Sequence, residues 1–454
     1  MDVATVQWLG SAAGRAVVNS LPPYAADTAV TVAAHLRATG LEPQLAAAAL
    51  TQQELRARAR AKFGGAADTL LLTRDGLEQA TRWVVAQGHA ERFVEAGVAV
   101  VHDLGCGIGA DAMAFAAAGL GVVALDADPV TAALATQNLR PWTSARADVG
   151  RAEDLNLDLL NLDLGGGREV GVWLDPARRR PGVADIDGRT TRLFRLEDLS
   201  PTWDFVGRVA ARVPATGVKL APVFPRDRVP AGTEAEWVSV GGDALECALW
   251  WGPLVRQVGR TARVLPGGTG PEVPVTIGGG LAPRSGSLTG ATTPVSGGGS
   301  GGLAVVVTEA DADPNPPTLG SLDALGDWLY ETNPAVRLAG LTGAVTAAVH
   351  GAELEAGLGY VTSNVAVDLG FARRYRIIAA MPFAPTEVRA WLRRDGVTGL
   401  TIKKRGVDLD ESKVRKQLGV GRSAGKGAQA TILITRLAKR PWVLVLDRVD
   451  LSGR

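Results

Sequence analysis

The stretch Val101-His-Asp-Leu-Gly-Cys-Gly-Ile-Gly-Ala-Asp111 decides how the rest of the chain is read. The apolar run Val98 to His102 that delivers it has the length and bulk of a buried strand. The glycines that follow permit positive φ and a close backbone approach to a ligand, and Asp111 to Ala118 then reads as a helix. A strand passing through a glycine turn into a helix is the opening unit of a parallel sheet covered by helices.

Working outward, the alternation continues. Val122 to Leu125 reads as a second strand, Pro129 to Leu139 as a helix, and Arg146-Ala-Asp148 as the end of a third strand. Gly171 to Leu174, Val218 to Leu220, Glu236 to Val240 and finally Cys247 to Trp251 read as further strands of the same sheet. Upstream, residues 1–100 read as helical, with strong helix formers from Gln44 to Ala61. Arg56, Arg58, Arg60 and Lys62 crowd one segment there; a solvated helix face is the first reading and a phosphate-contacting patch the second.

Downstream the composition shifts. Ser285 to Gly302 is nearly all Gly, Ser, Thr, Ala and Pro, a composition that buries too little apolar surface to offset its ordering entropy. It marks a boundary. Beyond it, Asp327 to His350 reads as helical, Phe383 to Leu392 as a helix with Pro385 in its first turn, Thr398 to Lys403 as a strand, Glu411 to Leu418 as a helix, and Ala430 to Thr435 and Trp442 to Asp447 as strands. The expected division is a helical region over 1–90, an α/β domain over 91–255, a Gly-rich insertion over 256–302, a connecting α/β region over 303–385 and a small α+β domain over 386–454. A chain of 454 residues exceeds what one core sustains, so several units are expected.

Charge and cysteine usage narrow the class. The formal net charge is +1, so any bias toward nucleic acid must be local. It is: from Trp391 to Arg454 there are 15 Lys and Arg against 6 Asp and Glu, an excess of nine. Two cysteines, Cys106 and Cys247, exclude a disulfide framework and fit a reducing cytoplasm. The N-terminus MDVATVQWLG shows no signal peptide, and no apolar run approaches the ~18 residues of a membrane span. The four histidines are scattered and read as surface or packing residues; no metal site is expected.

Gly105-x-Gly107-x-x-Ala110 also satisfies the dinucleotide fingerprint, so the loop alone does not choose a cofactor. Asp103, two residues before Gly105, suits a cationic cofactor such as S-adenosylmethionine and would repel a pyrophosphate. Asp126 closes the second strand, where a carboxylate can accept both ribose hydroxyls, and Asp148 closes the third, where an acid can meet an adenine amino group. The cofactor set is Asp103, Gly105, Gly107, Gly109, Asp126 and Asp148. Residues 98–180 thereby resemble the class I S-adenosylmethionine-dependent methyltransferases, which implies a Rossmann-like sheet.

The resemblance gives roles to further residues. Asp175-Pro176-Ala177-Arg178 stands where class I enzymes carry the acceptor-facing loop. Relatives that methylate amino groups show Asp or Asn, two prolines and an aromatic there; this chain departs from that pattern at Ala177 and Arg178. Asp175, Pro176 and Arg178 are the expected catalytic residues. The loop is also similar to the Asp-Pro-Pro-Arg loop of uracil-C5 methyltransferases, but those need a nucleophilic cysteine on a later strand, and Val218-Lys219-Leu-Ala-Pro222 holds Lys219 instead. Covalent carbon methylation is therefore excluded, and Cys247, in an apolar strand, reads as core. Thr190 to Pro201 is dense in charge and reads either as an acceptor entrance or as a salt-bridged turn. Leu72 to Thr81 resembles a segment that closes the cofactor pocket in relatives, with Thr73 or Gln79 on the methionine carboxylate; a simple helix start with Asp75 near its N-terminus is the alternative.

The whole arrangement resembles bacterial class I methyltransferases with a C-terminal THUMP-like domain, through Leu72 to Thr81, Asp103 to Gly109, Asp175 to Arg180, Phe194 to Pro201, Glu236 to Trp251 and Leu400 to Asp408. THUMP domains in other enzymes bind RNA, so the resemblance implies an RNA substrate, with a nitrogen as the acceptor. Lys403, Lys404 and Arg405 at a strand end, and Arg422 and Lys426 in a flexible basic loop, are the expected RNA contacts. Two rivals stay open: a methyltransferase of a protein or small molecule, and a non-catalytic RNA-binding protein with a vestigial cofactor fold.

Overall fold

The computed structural model describes residues 1–157, 169–177, 196–267, 304–419, 428–437 and 440–448. Arg178, the segment up to Arg195, the Ser285 to Gly302 run, Arg422 and Lys426 lie outside them.

The first sheet has nine strands: β1 (Val100–Leu104), β2 (Gly121–Asp126), β3 (Ala145–Val149), β4 (Val170–Leu174), β5 (Ala215–Leu220), β6 (Glu234–Val240), β7 (Asp243–Trp250), β8 (Gly259–Leu265) and β9 (Val305–Thr308). Their spatial order is β3-β2-β1-β4-β5-β7-β6-β8-β9. The first five run parallel, and β7 enters antiparallel between β5 and β6. Inserting an antiparallel strand there separates this sheet from the 3-2-1-4-5-6 order of dinucleotide folds. All five residues of β1 and of β4 are buried, as expected where helices cover both faces. The strand order reverses between β1 and β4, and a ligand crevice opens at such a switch point.

Cys247 to Trp251 is not the last strand. The outer edge of β6 would leave a row of backbone donors and acceptors unpaired, and β8 satisfies it in parallel, with β9 then pairing antiparallel to β8. The sheet therefore runs past residue 255 and resumes after the Gly-rich segment.

A second sheet of seven strands contains β10 (Trp328–Thr332), β11 (Ala352–Glu353), β12 (Tyr360–Ser363), β13 (Ala372–Pro382), β14 (Val397–Arg405), β15 (Ala428–Leu437) and β16 (Arg440–Arg448), in the order β11-β12-β10-β13-β16-β15-β14. Because β13 pairs along its length with β16, the expected boundary at 386 falls inside one continuous sheet. Asp327 to His350 is not one helix. It opens as β10 because both faces of the sheet are covered there, so that adjacent Leu329 and Tyr330 are both buried, and because β12 and β13 pair with its two edges. The chain turns helical only at Pro334–Leu338, where Asn333 caps the start by accepting from Ala335 N–H at 2.9 Å. Gly340 separates this helix from Gly343–Val349.

The N-terminal region is helical as expected, with Pro43–Phe63 its longest helix. The basic run on that helix is neither a solvated face nor a phosphate patch throughout. Arg56 is buried and donates to Leu70 O at 2.9 Å and to Asn19 Oδ1 at 3.1 Å. Lys62 Nζ donates to the carbonyls of Leu77, Glu78 and Ala80, ending the short helix Arg74–Gln79 with a cation at its C-terminus. Burial and the nearby Lys219 bring the Lys62 ammonium down to about 8. Fully buried Gln52 accepts from Leu72 N–H at 2.8 Å and donates to Leu72 O at 2.9 Å. This helix thus holds Leu70 to Ala80 in place as though it were an extra strand partner.

Candidate active site

At the C-terminal ends of β1 and β2 the glycine turn takes φ of +88° at Gly105, +56° at Gly107 and +86° at Gly109. A Cβ at Gly105 would lie 2.8 Å from the carbonyl oxygen of Asp175, so only glycine lets this turn meet the loop after β4; at Gly107 it would meet nothing within 4 Å. The turn is open on the side where a ligand would lie. Asp126 braces it, accepting from Gly107 N–H at 3.0 Å and Asp128 N–H at 2.9 Å. Burial raises the Asp126 carboxyl above its ordinary range against those two bonds.

Asp103 is 1% exposed, and neither carboxylate oxygen has a hydrogen-bond partner among the described residues. Burial, followed by the charges of Asp111 and Asp175, pushes it well above the usual carboxylate range. An unpaired buried carboxylate costs ~1–3 kcal/mol or more, so its presence at the switch point calls for a cationic partner.

A polar network surrounds it. Asp111, in the first turn of helix Ala110–Ala117, accepts from Thr81 Oγ1 at 2.7 Å and bonds His89 Nδ1 at 2.8 Å. His89 Nε2 reaches Glu246 on β7 at 2.7 Å, and its ring lies 4.3 Å from that of Trp173. Burial works against a charged imidazole, but Glu246 and Asp111 outweigh it and push His89 up to about 9. Lys219, on β5 and 6% exposed, donates to Thr81 Oγ1 at 3.0 Å and is ion-paired with Asp175. Desolvation opposes its charge; Asp175, Asp111 and Glu246 restore it and raise the ammonium above its ordinary value. Five carboxylates (Asp103, Asp111, Asp126, Asp175 and Glu246) therefore face two internal cations. This acidic surplus favours a cationic ligand and opposes a pyrophosphate.

Asp175 is half-buried and Pro176 buried. Ala177 bonds back to Ser200 through two backbone hydrogen bonds of 2.7 and 3.3 Å, so the loop's start is fixed from both sides. Other expected residues stand further out. Thr73 caps helix Arg74–Gln79, its Oγ1 accepting from Gly76 N–H at 3.1 Å, and Gln79 is exposed. That segment does lie on the glycine turn, since a Cβ at Gly76 would sit 2.5 Å from Ile108 Cγ2. Asn138 ties the two together, bonding Leu71 through both backbone groups and Ile108 O at 2.9 Å. Asp148 is exposed and pairs with Arg146 at 3.2 Å.

His89, Asp111, Lys219, Glu246 and Asn138 were not singled out as site residues in the sequence. Asp111 alone carried a signal, an acid in the first turn after the glycine loop. The others come from elements far apart in the chain.

The expected RNA contacts are partly engaged within the fold. Lys403 pairs with Glu331 at 2.7 Å, beside the Tyr375 ring. Glu331 also accepts from Tyr360 and Tyr375, and burial is outweighed by Lys403 in holding it below its ordinary range. Lys404 donates to Leu409 O. Arg405 donates to Leu358 O at 3.0 Å and lies over the Tyr360 ring at 4.8 Å.

A family model described as THUMP domain-like matches residues 372–448, and another, described as a domain of unknown function, matches residues 2–59. The chain is 32% identical over 225 residues to an uncharacterized S-adenosylmethionine-dependent methyltransferase of Mycobacterium tuberculosis strain CDC 1551 / Oshkosh, and equally to that of strain ATCC 25618 / H37Rv. Each match covers 47% of this chain and 56% of the relative, so the chain spans about half the length of the curated relatives it matches. The crystal structure of a Porphyromonas gingivalis W83 protein, provisionally named a methyltransferase, superposes with a TM-score of 0.66 over 99% of this chain and 98% of that one, at 17% identity. That likeness shows the fold of the described residues, a Rossmann-like α/β sheet preceded by an N-terminal helical region and followed by a second sheet, the part matched by the THUMP domain-like model.

Proposed function

We propose that this chain, with its class I methyltransferase fold and THUMP-like unit, is an S-adenosylmethionine-dependent methyltransferase acting on a nitrogen of RNA, tRNA or rRNA. The observation that carries the cofactor is Asp103, whose buried carboxylate lacks a partner at the end of β1 beside an open glycine turn. Asp103 would face the cofactor's cationic groups, Asp126 its ribose hydroxyls, and the backbone of Gly105, Gly107 and Gly109 its flank. When bound, the cofactor supplies an electrophilic methyl group on a sulfonium.

The chain's own part is to align and desolvate. Asp175 accepts a hydrogen bond from the acceptor N–H, directing the nitrogen lone pair along the line of transfer. Its carboxylate is ion-paired with Lys219, which fixes it in place to orient the acceptor; the proton leaves the methylated nitrogen to solvent. Thr81 and Asp111 hold Lys219 and its neighbours, linking the acceptor loop to the helix that follows the glycine turn. RNA as the acceptor is supported by the THUMP-like match and by the excess of nine cations from Trp391 to Arg454. A reducing cytoplasm accords with the two free cysteines.

Calorimetry tests the cofactor. The protein should bind S-adenosylmethionine and not NAD, and Asp126→Ala should weaken binding by ~1–3 kcal/mol. Asp103→Asn should weaken it as well while raising the thermal midpoint of the ligand-free protein at neutral pH. Burial raises the Asp103 carboxyl, so ionising it costs stability as pH climbs above the unfolded-state value of 3.8. Tight NAD binding, or an Asp103→Asn protein of wild-type affinity, overturns the reading. Mass spectrometry of RNA nucleosides from cells with and without the gene identifies the acceptor.

A further inference from the structure

Away from the cofactor crevice, guanidinium groups from three elements converge where the two sheets meet. Arg226 follows β5, the strand that supplies Lys219, and is exposed. Arg337 lies on helix Pro334–Leu338, and Arg405 ends β14. At Gly340 the position a Cβ would take is 2.0 Å from Arg226 Nη1 and 2.7 Å from Arg260 Nη1; at Gly359 it is 2.5 Å from Arg337 Cδ. Glycine at these two positions lets Arg226, Arg260 and Arg337 lie directly against the backbone.

Arg260 is neutralised: its Nε pairs with Glu309 at 2.6 Å and its Nη1 donates to Ala339 O at 3.0 Å. Among the described residues, Arg226, Arg337 and Arg405 have no carboxylate partner, and the Arg337 Nε is buried without a hydrogen bond. Burial, then the charges of Arg405 and Arg226, hold the Arg337 guanidinium below its ordinary range. Like charges gathered without a counter-ion are unfavourable unless an anion joins them, and planar guanidinium forks match the two free oxygens of a phosphodiester.

We propose that Arg226, Arg337 and Arg405 bind a backbone phosphate of the nucleic-acid acceptor at the junction of the methyltransferase and THUMP-like sheets. The proposal rests on the RNA reading above and sharpens it: the anchoring phosphate sits between the sheets, not along the outer strand end at Lys403 and Lys404. Nucleic acid is favoured over an acidic protein because Arg405 belongs to the unit with the nine-cation excess and carries its guanidinium stacked on Tyr360. That stacking holds its fork in a fixed plane.

The test uses the full chain and a labelled single-stranded 20-nucleotide RNA of mixed sequence, with anisotropy titrations at several salt concentrations. Arg226→Gln and Arg337→Gln should each weaken binding by about tenfold or more and flatten the log–log salt slope by ~0.7. Arg337→Lys should keep most of the slope, and S-adenosylmethionine affinity should not move. Arg226 is exposed, so its variant guards against a folding artefact, checked by thermal midpoints. Wild-type slopes in both Gln variants overturn this proposal and leave the RNA reading standing. If the wild type binds no RNA, the RNA reading falls. The anion site is then judged by inorganic pyrophosphate, which should raise the wild-type thermal midpoint but not that of Arg337→Gln; no shift in either overturns the site too. Displacement of the RNA by polyglutamate at equal concentration overturns the phosphate assignment in favour of an acidic protein partner.

Discussion

The network beneath β1 and the one around Glu331 both set carboxylates against a lysine, and they reach opposite outcomes. Around Glu331, the carboxylate accepts from Lys403, Tyr360 and Tyr375, so every strong partner is found within the fold. Under β1, Lys219 and His89 are shared among Asp111, Asp175 and Glu246, and Asp103 receives nothing. A satisfied cluster stabilises; a cluster short of one cation is prepared to receive one. The excess of cations in the C-terminal unit thus overstates the charge available to a ligand, while the acidic crevice holds more unmet charge than its motif suggests.

Breaking the acidic side should have the largest effect. Asp175→Ala should lower the rate of methyl transfer by ~10²-fold, the scale for losing acceptor alignment, while leaving S-adenosylmethionine affinity nearly unchanged in calorimetry. Asp175→Asn, which still accepts a hydrogen bond, should retain part of the activity. Wild-type turnover in Asp175→Ala would remove this residue from the mechanism.

The satisfied side should respond in stability and not in binding. Lys403→Met strands Glu331 with two tyrosines and should cost ~1–3 kcal/mol in urea denaturation, whereas substituting exposed Lys416 should leave the midpoint in place. If Lys403→Met instead keeps full stability and loses RNA affinity, the assignment of Lys403 to the fold is wrong and its expected role as an RNA contact returns.

The most gradual effect is a pH dependence. His89 is raised from 6.5 to about 9 in the folded protein, so its contribution to stability is complete below pH 6.5 and is lost as pH rises through about 9. Denaturation free energies measured from pH 6 to 9.5 should fall along this range, and His89→Gln should flatten the decline. An unchanged slope in the variant would mean that His89 is neutral between its two carboxylates.

Much of this was legible in the chain. The glycine turn declares itself because positive φ restricts residue choice locally, and Asp103, Asp126 and Asp175 are readable as acids at the ends of apolar runs. Local pattern misled at Asp327 to His350, where helix formers hide a strand that exists only because β12 and β13 offer it partners. The same holds for β8, which no motif announces and which pairs with the edge of β6.

What the sequence determined by itself is the identity and order of the parts: an α/β sheet opened by a glycine turn, acids poised for a cationic ligand, and a basic C-terminal unit. Tertiary structure alone decided which charges remain unmet. His89 meets Glu246 across 157 residues and Lys219 meets Thr81 across 138, and Lys403 is drawn inward by Glu331 from 72 residues away. Whether a charge is available depends on its partners and its burial, and both arise from pairings between strands and helices that lie far apart in the chain.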